Sequence, residues 1–216
     1  MALNPYFGTY CIFNSTCHDH DYALMGADSL VGDLFTVEFK NEDGELIAML
    51  TNKFGQEVGE LDRKTARKLL LIKADGWEIR AIMASVIIFK DEQKNTNYGG
   101  EAAIICFPGS YSKEFDNFTA GIASEIAEGR RPVLKLSDST VKNIIEAEGK
   151  LVPKDKEPRL KLTNGSVIVK DHMKTDEKMV ELARKRNPGC MFVGYAFIAV
   201  LVALAIYALY HLVQIF

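Results

Sequence analysis

The sequence predicts an α+β protein: a small, mostly antiparallel β-barrel with one inserted helix, a second small α+β segment, and a C-terminal transmembrane helix. Three observations lead there. Between residues 34 and 107, short alternating apolar runs are separated by turns rich in Gly and Asn. Helical periodicity occurs once inside that stretch and dominates beyond Pro108-Gly109. Residues 190–216 contain no Asp, Glu, Lys or Arg. The expected division is a barrel domain over 1–108, an α+β segment with a hairpin and a juxtamembrane helix over 109–187, and an anchor over 190–216.

The elements follow in order. Phe35, Val37 and Phe39 alternate with Thr36 and Glu38, the period of a half-buried strand. Asn41 to Gly44 turns the chain, Leu46 to Thr51 is a second strand, Asn52 to Gly55 turns again, and Glu57 to Leu61 is a third. Asp62 is the N-cap of a helix with Ala66, Leu69 and Leu70 on its buried face, stopped at Asp75-Gly76. Trp77 to Lys90 is one long strand or two with a bend, Gln93 to Gly100 a polar turn, and Glu101 to Phe107 a returning strand. Phe115, Phe118, Ile122 and Ile126 set a helical stripe ended by Gly129. Ser137 or Ser139 caps another helix, which stops at Gly149. After a charged loop over 150–158, Leu160 to Lys170 reads as a hairpin around Asn164-Gly165. A last helix runs from Thr175 to Arg186, and Pro188-Gly189 breaks it.

The apolar run is long enough for a bilayer, which takes about 20 residues of helix. A buried core helix is the alternative, but core helices rarely stay apolar on every face for this length. Arg184, Lys185 and Arg186 precede the run and no charge follows it, so the positive-inside rule places the preceding domain in the cytoplasm, with the run as a tail anchor. The lipid bilayer is then a partner. Under that topology the sequons at Asn14, Asn117 and Asn164 are chance matches. Ala196, Ala199 and Ala203 share a helix face where small residues permit close packing, which allows a homo-oligomer through the span.

A net charge of -3 argues against bulk nucleic-acid binding, so any basic footprint has to be local. Such a footprint is available in Arg63, Lys64, Arg67 and Lys68 on the inserted helix, with Lys53 and Phe54 nearby in sequence. Cations beside an aromatic ring are how barrels hold single strands, and a solvated helix face is the plainer reading. Trp77 begins a strand and reads as core. The pair Arg130-Arg131 and the Arg184 cluster read as turn and membrane-surface charges.

Four cysteines with no disulfide spacing, behind an N-terminus lacking the features of a signal peptide, suggest a reducing compartment. Cys11, Cys17, His18 and His20 are the one cluster of metal-ligand types, suited to zinc, although adjacent Cys17 and His18 can hardly share an ion without strain. An exposed polar loop is the alternative. A Cys-His nucleophile pair lacks an identifiable orienting group. Cys106 reads as core and Cys190 as interfacial. No phosphate loop, nucleophile elbow or zinc-protease motif is present, and no resident cofactor is expected.

With the segment Val58-Gly59-Glu60-Leu61-Asp62-Arg63 running from a strand into a helix, residues from about 8 to 107 resemble a HIRAN domain. That segment, followed by Ala66 and Leu69, is similar to that family's I-G-x-L-x-R strand and helix. Glu38 and Asn41 fall where the family carries a Glu-Pro-x-Asn-Pro turn, with Phe39 and Glu42 in place of its prolines and Gly44 and Leu46 in place of the Asp and Asn that follow. Asp75-Gly76-Trp77 then opens the long strand. The resemblance implies an OB-like barrel. In the best-known members such barrels bind single-stranded DNA ends beside helicase modules. No helicase motif exists here, the turn departs from the pattern, and no DNA-binding residue is carried over.

Three functions therefore stand: a tail-anchored, cytosolic, non-catalytic binding or adaptor domain for a protein partner; a HIRAN-like single-strand binder tethered to a membrane; and a metal- or thiol-dependent enzyme at the N-terminal cluster.

Overall fold

Phe13 and Leu61, brought together by strand pairing, belong to a sheet that closes on itself. The computed structural model describes residues 5–15, 24–42, 44–90, 96–159, 162, 165–184 and 197–198. Strands β1 (Phe7–Asn14), β2 (Leu34–Glu42), β3 (Glu45–Thr51), β4 (Glu57–Leu61), β5 (Trp77–Lys90) and β6 (Thr96–Pro108) form an antiparallel sheet ordered β2-β3-β4-β1-β6-β5. Pairing of Leu34 with Ile82 and Phe35 with Ala81 joins β2 to β5 and closes the barrel. The far half of β5 instead pairs with a seventh strand, β7 (Val167–Lys170), at Val86–Ile88.

The period of two decides what faces where. Cys11 and Phe13 of β1, Phe35 and Val37 of β2, Ala81 and Met83 of β5, and Ala102, Ile104 and Cys106 of β6 fill the barrel. The alternate residues Tyr10, Ile82, Ala84, Ala103, Ile105 and Phe107 form a second core outside it. Strand β6 is therefore buried on both faces, which is why its Ala-Ala-Ile-Ile-Cys-Phe run carries no polar side. What covers the outer face is α2 (Ser112–Ala127), with Phe115, Phe118, Ile122 and Ile126 buried, backed by Val141 and Ile144 of α3 (Asp138–Glu146). The helical segment after Pro108, through Ile144, thus packs on the barrel wall.

Between β4 and β5 lies α1 (Arg63–Ala74). Asp62 caps it as expected, accepting from the backbone N–H of Lys64 at 2.9 Å and of Thr65 at 3.1 Å. Ala66 and Leu69 are buried in the barrel core with Ile72 packed beside them, but Leu70, expected inside, is exposed. The inward stripe is the narrow one set by residues 66, 69 and 72. Burial raises the Asp62 carboxyl, yet hydrogen bonds from the Thr65 side chain and the two backbone amides outweigh it and hold it below the ordinary value. Asp62→Ala is expected to cost about 1 kcal/mol. The wild-type advantage should be complete above about pH 4 and fade as the pH falls through the lower folded-state value. Urea unfolding of both proteins across that range measures it.

Other expectations shift at their edges. The segment read as a polar turn over residues 93–100 contributes Thr96 to Gly100 to β6, so Gly99 and Gly100 are strand residues. Strand β5 is one strand with a register irregularity between Met83 and Ser85. Strand β1 has no counterpart in the sequence reading. The first arm of the expected hairpin, including Leu160 and Asn164, lies outside the described residues apart from Leu162; β7, its second arm, is paired with β5.

Met1–Met173 is one compact unit and Lys174–Phe216 a second. The second contains α4 (Thr175–Arg184), whose preceding Lys174 N–H donates to the Glu177 carboxylate at 3.0 Å. Of the apolar run, only Phe197 and Ile198 are among the described residues, both helical and exposed. Among the described residues no helix is long and apolar enough to cross a membrane.

Candidate functional site

The first candidate surface is the outer face of α1. Its 12 residues carry Arg63, Lys64, Arg67, Lys68 and Lys73 and no acid. Lys64, Arg67 and Leu71 are spaced i, i+3, i+7, so they form the outward stripe opposite Ala66 and Leu69. Leu71 is 68% exposed. The flanking cations have partners: Arg63 pairs with Glu45, Lys68 lies 3.7 Å from the centre of the Phe7 ring, and Lys73 5.2 Å from that of Phe39. Lys64 and Arg67 make no ion pair among the described residues. Four of the nominated side chains are therefore brought together on one helix.

Lys53 and Phe54 are not with them. They sit in the turn after β3, where Lys53 pairs with Asp33 at 3.4 Å and Asn52 Oδ1 accepts from the backbone of Phe54. Strand β3 starts at Glu45, the partner of Arg63, so the two groups are separated by the length of that strand, roughly 20 Å. Phe54 is exposed, whereas Phe7, Phe39 and Trp77 near α1 are half-buried against the barrel core.

A second site was not anticipated from the sequence. Tyr10, Ser85, Glu101, Arg131, Arg159 and Asp171 line a cleft of about 460 Å³, its open mouth included, between the barrel wall and the 129–131 and 159–171 segments. Glu101 is buried, and Arg131 reaches it with both guanidinium nitrogens, the longer contact being 2.7 Å. The Arg131 guanidinium lies 3.7 Å from the centre of the Tyr10 ring, while the Tyr10 hydroxyl donates to the Pro132 carbonyl at 2.9 Å. Burial pushes the Tyr10 hydroxyl well above its usual range, with Arg131 pulling the other way. Arg131 is thus a nearly buried structural cation rather than a solvated turn charge. A single acid inside an otherwise apolar strand requires a partner, and Glu101 ahead of Ala102 to Phe107 was the available signal.

The outer cleft repeats the pairing. Arg130 joins Glu125 and Glu128, and Arg159 donates to Asp171 at 2.5 Å. Hydrogen bonds from Arg159 and then His172 hold Asp171 below the ordinary carboxylate range. Each guanidinium is neutralised by an acid, so the cleft has the chemistry of a folded ion-pair network. His172 is the one histidine among the described residues, and its ring nitrogen faces Asp171 rather than a nucleophile.

Cys11 is buried inside the barrel, its thiol donating to the Ala102 carbonyl at 3.7 Å, and burial pushes it far above the ordinary thiol range. Cys106 is pushed up to about 12 by the same burial. Burial of both thiols in the barrel wall disfavours the thiolate that a free nucleophile needs. Cys17, His18 and His20 lie outside the described residues, as do Lys185, Arg186, Ala196, Ala199, Ala203 and the Arg184 side chain. Among the described residues no three metal-ligating side chains converge.

No family model matches the sequence, and no curated protein matches it.

Proposed function

We propose that the chain is a non-catalytic binding module that its C-terminal run tethers to a membrane, with the cytosol as the compartment of the barrel. The observation that carries this reading is α1: five cations, no acid and an exposed leucine on a helix whose inner face closes the barrel core. The barrel interior is filled by side chains such as Phe13, Leu50, Met83 and Ile104, which supports recognition on an outer surface over storage of a ligand inside. The run over 190–216, mostly apolar and without Asp, Glu, Lys or Arg, supports the tether. Membrane fractions carrying the full chain should retain it through alkaline carbonate, with the barrel open to added protease, and a chain ending at residue 189 should be released. Extraction of the full chain by carbonate removes the tether.

The HIRAN-like reading is second. It is favoured by the position of Val58 to Leu61 as strand β4 and of Asp62 as the cap of α1, the strand-then-helix order of that resemblance. It expects single-strand binding that weakens with salt and with Arg67→Glu. A flat titration at low salt removes it.

A further inference from the structure

We propose that the outward stripe of α1 docks on an anionic lipid surface, its cations against headgroups and Leu71 in the interface. The proposal deepens the tethered-module reading, on which it rests for the presence of a bilayer, and it names the ligand of the α1 face.

Charge complementarity is the first argument. A 12-residue helix with five cations and no acid attracts an anionic surface, and the capping acid Asp62 is engaged by Lys64, Thr65 and the Thr65 hydroxyl. Lys64 and Arg67, the two cations at the crest, make no ion pair among the described residues, and of the five α1 cations only Arg63 is paired, with Glu45. Docking therefore does not require an existing pair at the crest to break.

The second argument separates lipid from nucleic acid. A single strand needs exposed rings on which bases stack. The rings around α1 are half-buried, Phe7 lies under the Lys68 ammonium and Phe39 under that of Lys73. Phe54, an exposed ring, sits beyond the far end of β3. What α1 does expose is aliphatic: Leu71 at 68% and Leu70 at 38%. Exposed leucines among cations on one helical face fit an acyl–headgroup boundary and offer nothing to a base.

The test uses the full chain with Cys17→Ser, Cys190→Ser and Leu71→Cys, labelled at residue 71 with an environment-sensitive fluorophore; Cys11 and Cys106 are buried and stay in place. Sedimentation with phosphatidylcholine vesicles reports on the C-terminal run alone. Vesicles of phosphatidylcholine and phosphatidylserine in equal parts, with bromine-quenched acyl chains, report on α1. The expected result is quenching at residue 71 with the anionic vesicles only, reversed by high salt. Lys64→Glu with Arg67→Glu should weaken it at least about 30-fold, at roughly fivefold per cation removed. A label placed by Phe54→Cys should stay silent.

Sedimentation with neutral vesicles and no quenching at residue 71 in anionic ones overturns the docking and leaves the tether standing. Quenching with anionic vesicles but no sedimentation with neutral ones supports the docking and removes the tether. Sedimentation with neither vesicle overturns both. Equal quenching at residues 71 and 54, or a single-stranded oligonucleotide shifting the label where anionic vesicles do not, also overturns the proposal.

Discussion

Arg131→Met is expected to lower the thermal unfolding midpoint by roughly 10 °C, from a loss of about 3–5 kcal/mol. The loss comes less from the missing attraction than from what stays behind. Glu101 is 4% exposed, sits between Gly100 and Ala102 in a strand covered on both faces, and takes both guanidinium nitrogens of Arg131. Without that partner its carboxylate must either remain charged in an apolar wall or take up a proton. The ring of Tyr10 also loses its covering guanidinium. Replacing both members at once, Glu101→Leu with Arg131→Met, removes the buried charge entirely and should return most of the loss. Calorimetry on the two single variants and the double variant reads this directly. An Arg131→Met midpoint within about a degree of wild type would mean the pair is solvated in solution.

That pair also shows where the sequence stopped being legible. Alternation made β2 readable because one of its faces meets solvent: Leu34, Thr36 and Glu38 are exposed while Phe35 and Val37 are buried. Asp62, Ser137 and the stripe Phe115, Phe118, Ile122 and Ile126 were readable because caps and helical faces are local signals. Strand β1 was not, because both of its faces are covered, by Cys11 and Phe13 inward and by Tyr10 outward under Arg131. Its run Phe7 to Asn14 therefore shows no clean polar side. The same two-faced burial in β6 was visible as an apolar run, yet the conclusion that a second layer must cover it needs the partner, α2, which follows immediately in the chain. Of the candidate site, the cations of α1 were readable as a set. Their distance from Lys53 and Phe54 was not, since closeness in sequence across a turn says nothing about which end of a strand faces which. The Arg131–Glu101 contact spans 30 residues and rests on tertiary packing alone.

Gly99 and Gly100, read as part of a turn, carry the second large expectation. Phe13 is fully buried and is the cross-strand partner of Gly100 on β6 and of Leu61 on β4. A Cβ at Gly100 would lie 2.6 Å from the Phe13 ring and 2.3 Å from the Ser85 carbonyl oxygen. One at Gly59 of β4 would lie 2.7 Å from the same ring. The ring thus occupies a slot that two glycines on the neighbouring strands leave open, which gives glycine at these strand positions a packing reason. Phe13→Ala should cost about 3–5 kcal/mol through the void it leaves in the barrel. Gly100→Ala should cost about 2–3 kcal/mol by overpacking, because the Ser85 oxygen is backbone and cannot swing away. The double variant decides between a shared slot and two separate defects. Removing the ring relieves one of the two clashes and lets the new methyl fill part of the void. The double loss, read by urea unfolding, should therefore fall short of the sum of the singles by about 1 kcal/mol or more. Strict additivity would place the glycine requirement entirely in the backbone approach of β5 to β6, and Phe13 would then be one core ring among several rather than the side chain around which these three strands are spaced.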